Sequence, residues 1–142
     1  MKEALKPEIT LLYCGSGLAE GEYLPEGAKK YDGCKVRYVM MPCSCKVEAG
    51  YILKLFEEGA DGVMVVVCPK EECRFIIGSS RTENRIRYVQ SLLEEVGLSR
   101  DRLAYVEGKN FAADNYFAMA MSLATVVNNV GPNPIGPVLQ AV

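Results

Sequence analysis

The stretch Gly62-Val-Met-Val-Val-Val-Cys68-Pro-Lys-Glu-Glu-Cys73 combines an apolar run with two cysteines that have four residues between them. Five consecutive apolar residues, four of them valine, are typical of a strand that is buried on both faces of a parallel sheet. The pattern predicts an α/β fold in which this strand delivers Cys68 to the carboxyl edge of the sheet. In open α/β sheets, ligands bind at that edge.

Two other predicted strands also lead to a cysteine. The strand expected at residues 9–13 runs into Cys14, and the strand expected at residues 35–41 is followed closely by Cys43. Because the carboxyl ends of parallel strands meet at one edge of a sheet, we expect both thiols to approach Cys68.

The composition is that of an ordinary globular domain, with 142 residues of which 49% are hydrophobic and 24% charged. We expect one domain over residues 1–130 and a Pro- and Gly-rich tail at residues 131–142. A net charge of -2 removes any general electrostatic argument for binding nucleic acid or an anionic membrane. Neither a secretory signal nor a membrane-spanning apolar run is recognisable, so a cytoplasmic protein is expected.

The numbers of cysteines and histidines limit the kinds of metal or catalytic site that the chain can form. The chain has six cysteines and no histidine. In a reducing compartment, clustered thiols indicate a metal site or redox chemistry more strongly than they indicate disulfide bonds. The absence of histidine excludes histidine-assisted catalysis and mixed Cys/His zinc sites, so thiolate is the main soft ligand available.

The chain alternates predicted strands and helices. Strands are expected at residues 9–13, 35–41, 62–67 and 102–106. Helices are expected at residues 47–58, 80–97 and 111–129, with a weaker helical signal at residues 26–31. This alternation predicts a three-layer α/β sandwich around a mostly parallel four-stranded sheet, in flavodoxin-like or half-Rossmann order.

A set of four thiolates at one sheet edge fits either an iron–sulfur cluster or a structural zinc ion. The set consists of Cys14, Cys43, Cys68 and Cys73. Structural zinc sites usually draw their ligands from paired knuckles, whereas three strand ends supply the cysteines here, which favours a redox cluster. Packing of these cysteines in the core is the alternative.

The other two cysteines are interpreted differently. Cys34 precedes its strand, so it is expected at the opposite edge of the sheet, packed in the core. Cys45 has one residue between it and Cys43 and is an alternative ligand for the same coordination position.

Three longer motifs carry a resemblance to a known family. They are Met41-Pro-Cys43-Ser-Cys45-Lys-Val-Glu48, Phe56-Glu-Glu-Gly-Ala-Asp-Gly-Val-Met-Val-Val-Val-Cys68 and Leu92-Leu-Glu-Glu-Val-Gly-Leu98. With Cys73 following the second motif, the chain resembles the delta subunit of methyl-viologen-reducing hydrogenase. The resemblance extends from about residue 9 to the start of the last predicted helix.

The resemblance implies an electron-transfer subunit that carries one 2Fe-2S cluster on Cys14, Cys43, Cys68 and Cys73. It also implies two partners, a hydrogenase or other dehydrogenase and the flavin subunit of a heterodisulfide-reductase-type complex. The chain departs from the family pattern at Gly17, where a further cysteine is usual, at Cys45, where glycine is usual, and at Pro69, where histidine is usual. A zinc-binding scaffold or adaptor, or a cysteine-based redox protein without a cluster, are the alternative functions.

Overall fold

The computed structural model describes residues 7–14, 19–21, 23–24, 27–31, 34–41, 48–67, 78–108 and 111–131. Within these ranges the chain has an α/β architecture of five strands and three helices. The strands are β1 (Glu8–Cys14), β2 (Gly27–Tyr31), β3 (Cys34–Met41), β4 (Gly62–Val67) and β5 (Leu103–Glu107). The helices are α1 (Ala49–Glu57), α2 (Gly78–Glu95) and α3 (Ala113–Val130).

The five strands form one sheet in the order β2-β3-β1-β4-β5. Strand β1 is parallel to its neighbours β3 and β4, and β5 is parallel to β4. Strand β2 is antiparallel to β3 at one edge. Taken alone, the four parallel strands follow the flavodoxin-like order and not the half-Rossmann order.

The sheet has five strands, so the prediction of four is wrong, and so is the weak helix expected at residues 26–31. Strand β2 lacks the apolar alternation that marks a half-buried strand, and it forms by pairing with β3. Tyr31 lies opposite Cys34, which leaves a two-residue connection. Those residues are Asp32-Gly33, a pair that favours tight hairpins and is the sequence signal for this strand.

Helices cover both faces of the sheet. Alternate strand residues such as Leu12 and Val65 join a hydrophobic cluster with α1 and α2. The intervening residues, such as Leu11 and Val66, join a second cluster with α3. Strand β4 is buried along its whole length, as its uninterrupted apolar run predicts.

The ends of the first two helices follow the glycine pattern of the sequence. Gly59 and Gly97 come shortly after α1 and α2 and have φ values of 113° and 91°. This left-handed conformation suits glycine and terminates a helix. No helix in the described ranges combines the length and apolarity needed to cross a membrane. Apart from Gly131, the predicted tail at residues 131–142 lies outside the described residues.

Candidate metal centre at the carboxyl edge of the sheet

Only one of the four predicted ligands has a described backbone. Cys14 is the last residue of β1 and lies opposite Met41, the last residue of β3. Cys43, Cys68 and Cys73 lie outside the described residues, as does Cys45. Their assignment as ligands therefore stays a prediction, whereas the strands that lead to them are described.

The strands that lead to these cysteines are neighbours. Strand β1 lies between β3 and β4 and is parallel to both, so all three end at the same edge. Residue 43 follows the end of β3 by two positions, and residue 68 directly follows β4. Neighbouring strands lie about 4.8 Å apart, so the chain leaves the sheet toward these cysteines at three points within about 10 Å of one another.

The same edge contains the topological switch point of the sheet. From β1 the chain passes through β2 to β3 on one side, and then through α1 to β4 on the other side. Connections that leave in opposite directions open a crevice between the carboxyl ends of the two central strands. Cys14 is the last residue of one of these strands, and Cys68 is the next residue in the sequence after the other.

Aromatic packing holds the backbone beside Cys14. Tyr13 is 6% exposed, and its ring centroid lies 5.5 Å from that of Tyr116 at the start of α3. Tyr116 is fully buried and packs edge-on against Phe111 at 5.3 Å. The carbonyl oxygen of Phe111 accepts a hydrogen bond of 2.8 Å from the amide of Ala19. The end of β1 is thereby tied to the start of α3 through buried rings.

A glycine fixes the end of β4 next to Cys68. The amide of Gly108 donates a 2.9 Å hydrogen bond to the carbonyl oxygen of Val67, the last residue of β4. A Cβ atom at Gly108 would lie 2.5 Å from Cζ of Phe111, so a side chain here would displace the ring. No local pattern in the sequence identifies Gly108 or Phe111, because their roles depend on contacts between distant parts of the chain.

A buried phenol belongs to Tyr105, in the middle of β5. Burial, reinforced by the charges of Glu107 and Glu83, raises the pKa of Tyr105 to about 12. The Tyr105 hydroxyl is buried and has no hydrogen-bond partner among the described residues. Glu83 lies in the second turn of α2, so the hydroxyl is near the amino-terminal half of that helix.

Cys34 is at the opposite edge of the sheet, which confirms the prediction for this residue. It is the first residue of β3, it is fully buried, and its Sγ atom lies 3.2 Å from Sδ of Met121. It belongs to the hydrophobic cluster beneath α3. In the described part of the chain no group of three or more cysteine or carboxylate side chains could hold a metal ion.

Comparison with known proteins assigns a family to this arrangement. The model of the family described as methyl-viologen-reducing hydrogenase, delta subunit, matches residues 25–131. The chain belongs to this family. The sequence resemblance is therefore confirmed, and the match includes strands β2 to β5 and all three helices.

Individual delta-subunit relatives agree with the family assignment. The chain is 36% identical over 100 residues to the iron-sulfur D subunit of the vhu F420-non-reducing hydrogenase of Methanocaldococcus jannaschii, covering 70% of this chain and 75% of the relative. It is 27% identical over 135 residues to the protein of the same name from Methanococcus voltae, covering 95% of this chain and 98% of the relative. Both relatives are named as iron-sulfur subunits of a hydrogenase.

A third relative is a much longer protein. The chain is 29% identical over 82 residues to the A subunit of the ferredoxin:CoB-CoM heterodisulfide reductase of Methanosarcina mazei. The match covers 54% of this chain and 10% of that protein. In that relative, a segment similar to the delta subunit is therefore part of a larger polypeptide.

Proposed function

We propose that the protein is an electron-transfer subunit that binds one 2Fe-2S cluster through Cys14, Cys43, Cys68 and Cys73. The observation that carries the proposal is the adjacency of β3, β1 and β4, which end side by side. Cysteines that are far apart in the sequence then follow three neighbouring strand ends. The names of the delta-subunit relatives support an iron–sulfur cofactor.

The residues available at this edge fit such a cofactor chemically. Thiolates are the usual ligands of iron–sulfur clusters, and a chain without histidine offers no imidazole in competition. A bound cluster would supply one-electron redox chemistry, for which no acid or base on the protein is needed. The contribution of the described residues is to hold the strand ends rigid, through the Tyr13–Tyr116 contact and the Gly108–Val67 hydrogen bond.

The names of the relatives support the choice of partners. We propose that the protein relays electrons between a hydrogenase, or another dehydrogenase, and the flavin subunit of a heterodisulfide-reductase-type complex in the cytoplasm. The relatives named as hydrogenase subunits support the first partner. The relative named as the A subunit of a heterodisulfide reductase supports the second, because a delta-like segment is joined to it in one polypeptide.

Visible absorption of anaerobically purified protein tests the proposal. We expect a coloured protein whose visible absorption is bleached by dithionite and returns on mild reoxidation. A colourless protein that contains zinc would instead identify a zinc-binding scaffold. A colourless, metal-free protein with one rapidly alkylated cysteine would identify a cysteine-based redox protein.

A further inference from the structure

A groove of about 220 Å³ lies between the end of α1 and the first residues of β1 and β3. Two acidic side chains, two basic side chains and a threonine line it, namely Glu8, Glu58, Lys35, Arg37 and Thr10. The rest of the lining is apolar and buried, and it consists of Ile9, Leu55 and Ala60. Pockets for drug-sized ligands measure about 300–1,000 Å³, so this groove suits a smaller molecule. We call it the α1–β3 groove.

The opposite charges occupy different parts of the groove. Glu8 lies in register with Lys35 on the neighbouring strand, so these two charges are close together. The amide of Asp61 donates a 2.8 Å hydrogen bond to the carbonyl oxygen of Glu8, which brings the end of α1 with Glu58 to the same part of the groove. Arg37 lies two residues beyond Lys35 on β3, about 6.6 Å further along the strand. The groove therefore has an acidic end, with Glu8 and Glu58, and a basic end, with Arg37.

A nearly buried hydroxyl in the groove has no hydrogen-bond partner in the described part of the chain. Thr10 is 6% exposed and lies in register with Arg37, on the same face of the sheet. Burying a hydroxyl without a hydrogen bond is unfavourable, so such groups usually have a partner. The guanidinium of Arg37 also forms no ion pair or hydrogen bond with a described residue. The hydroxyl of Thr10 and the guanidinium of Arg37 are therefore both available to one bound group.

We propose that the α1–β3 groove binds a small zwitterion, an amino acid with free amino and carboxylate groups. Its carboxylate would accept hydrogen bonds from the guanidinium of Arg37 and the hydroxyl of Thr10. Its ammonium group would lie beside Glu8 and Glu58, where the carboxyl end of α1 also favours a positive charge. A purely anionic ligand would meet the two glutamates, and a purely cationic ligand would meet Lys35 and Arg37. Only a molecule with both charges complements the whole groove. The proposal does not depend on the cluster.

The backbone amide signals of the full chain, recorded with added L-valine, test the class of ligand. We expect shifts at the first residues of β1 and β3 and a dissociation constant on the order of 1 mM. N-acetyl-L-valine lacks the ammonium charge and L-valinamide lacks the carboxylate, so each should bind at least about tenfold more weakly. No shifts at about 50 mM L-valine, or equally tight binding of either analogue, would overturn the proposal.

Substitutions that remove single polar groups test the assigned contacts. Thr10→Val and Arg37→Gln at the basic end, and Glu58→Gln at the acidic end, should each weaken L-valine binding by at least about fivefold. Thr10→Val should not lower the melting temperature, because its hydroxyl has no described partner to lose, so weaker binding would not reflect unfolding. The matched controls are Arg100→Gln and Glu94→Gln, at exposed residues outside the groove, which should leave binding unchanged. Equal weakening in the groove and control variants would reduce the effect to net charge and overturn the proposal.

Discussion

At the scale of single residues, Cys14 and Cys34 lie at opposite ends of their strands, and we propose different roles for them. Cys14 ends β1 at the edge where the other predicted ligands follow their strands. Cys34 begins β3 at the opposite edge and lies against Met121 in the core. A buried thiol in apolar surroundings is chemically inert and serves mainly as packing. Substitution of a proposed ligand and of Cys34 can therefore separate the proposed ligand role from the packing role.

We expect Cys68→Ser to abolish or greatly reduce iron retention, because the change removes one proposed thiolate ligand. Cys34→Ala should retain the iron of the wild-type protein and lower the free energy of unfolding by about 1 kcal/mol, through the loss of a packed sulfur atom. Iron content per chain and urea denaturation measure the two effects. Equal loss of iron in both variants would refute the assignment of ligands.

Arg102 is a buried cation whose role is structural. It is 3% exposed, and its guanidinium donates hydrogen bonds of 3.0 Å and 2.7 Å to the carbonyl oxygens of Asp61 and Gly131. Burial lowers the pKa of Arg102, and the nearby charge of Asp61 opposes this shift. The side chain joins the residue before β4 to the end of α3.

We expect Arg102→Met to lower the free energy of unfolding by about 2–4 kcal/mol, because the change removes a buried guanidinium and two part-buried carbonyl groups lose their donors. Arg100→Met removes an exposed guanidinium from the same turn and should change stability by less than about 0.5 kcal/mol. Urea denaturation of both variants provides the comparison. Similar stabilities would show that the Arg102 contacts contribute little.

Because of Tyr105, we expect the free energy of unfolding to fall as the pH becomes alkaline. Burial is the main reason that its pKa is raised to about 12 in the folded protein, above the value near 10 expected for an unfolded chain. The folded state therefore holds the phenolic proton of Tyr105 more tightly than the unfolded state does. The stabilisation of the folded state by Tyr105 is fully present below pH of about 10 and is lost as pH rises toward 12. Tyr105→Phe should flatten this part of the stability profile. An unchanged slope in the variant would contradict the assignment.

At the scale of elements, the sequence predicts best those strands that carry their own apolar signal. Strand β4 has an unbroken run from Val63 to Val67, and all of it is buried. Strand β2 consists of Gly-Ala-Lys-Lys-Tyr, in which no face is consistently apolar. Its conformation comes from hydrogen bonding to β3, which single-sequence periodicity cannot show. The Asp32-Gly33 pair is the local clue.

The segment between β5 and α3 positions the candidate site in a way that local patterns do not reveal. Gly108 contacts the end of β4, and Phe111 packs on Tyr116. In sequence, Gly108 looks like an ordinary turn residue after a strand. Its close approach to Phe111 is visible only in three dimensions, because the contact depends on how α3 returns to the sheet.

We expect Gly108→Ala to lower the free energy of unfolding by about 1–3 kcal/mol, because its methyl group would displace the ring of Phe111. Gly50 in α1 is the matched control, since a methyl group added there would have no described neighbour within 4 Å. Gly50→Ala should leave stability unchanged or raise it by up to about 0.5 kcal/mol, because Gly50 is in the first turn of α1 and alanine favours the helix more than glycine does. Urea denaturation measures both changes. An unchanged free energy of unfolding in Gly108→Ala would show that the ring of Phe111 moves aside without strain.

At the scale of the whole molecule, the sheet order is what connects the sequence pattern to a function. The sequence predicts three strands that lead to cysteines, but it does not specify which strands are neighbours. The order β3-β1-β4 makes them adjacent and leaves Cys34 at the other edge. Delta-subunit relatives are named as iron-sulfur subunits of hydrogenases, and we propose this edge as the place where such a cofactor binds.

The central claim is that cysteines following adjacent strand ends share one inorganic centre. The most direct test quantifies iron, zinc and acid-labile sulfide in the same anaerobically purified sample. The proposal predicts iron and sulfide in equal amounts, little zinc, and a paramagnetic resonance signal after one-electron reduction. Zinc without sulfide, or a protein free of both metals, would contradict it.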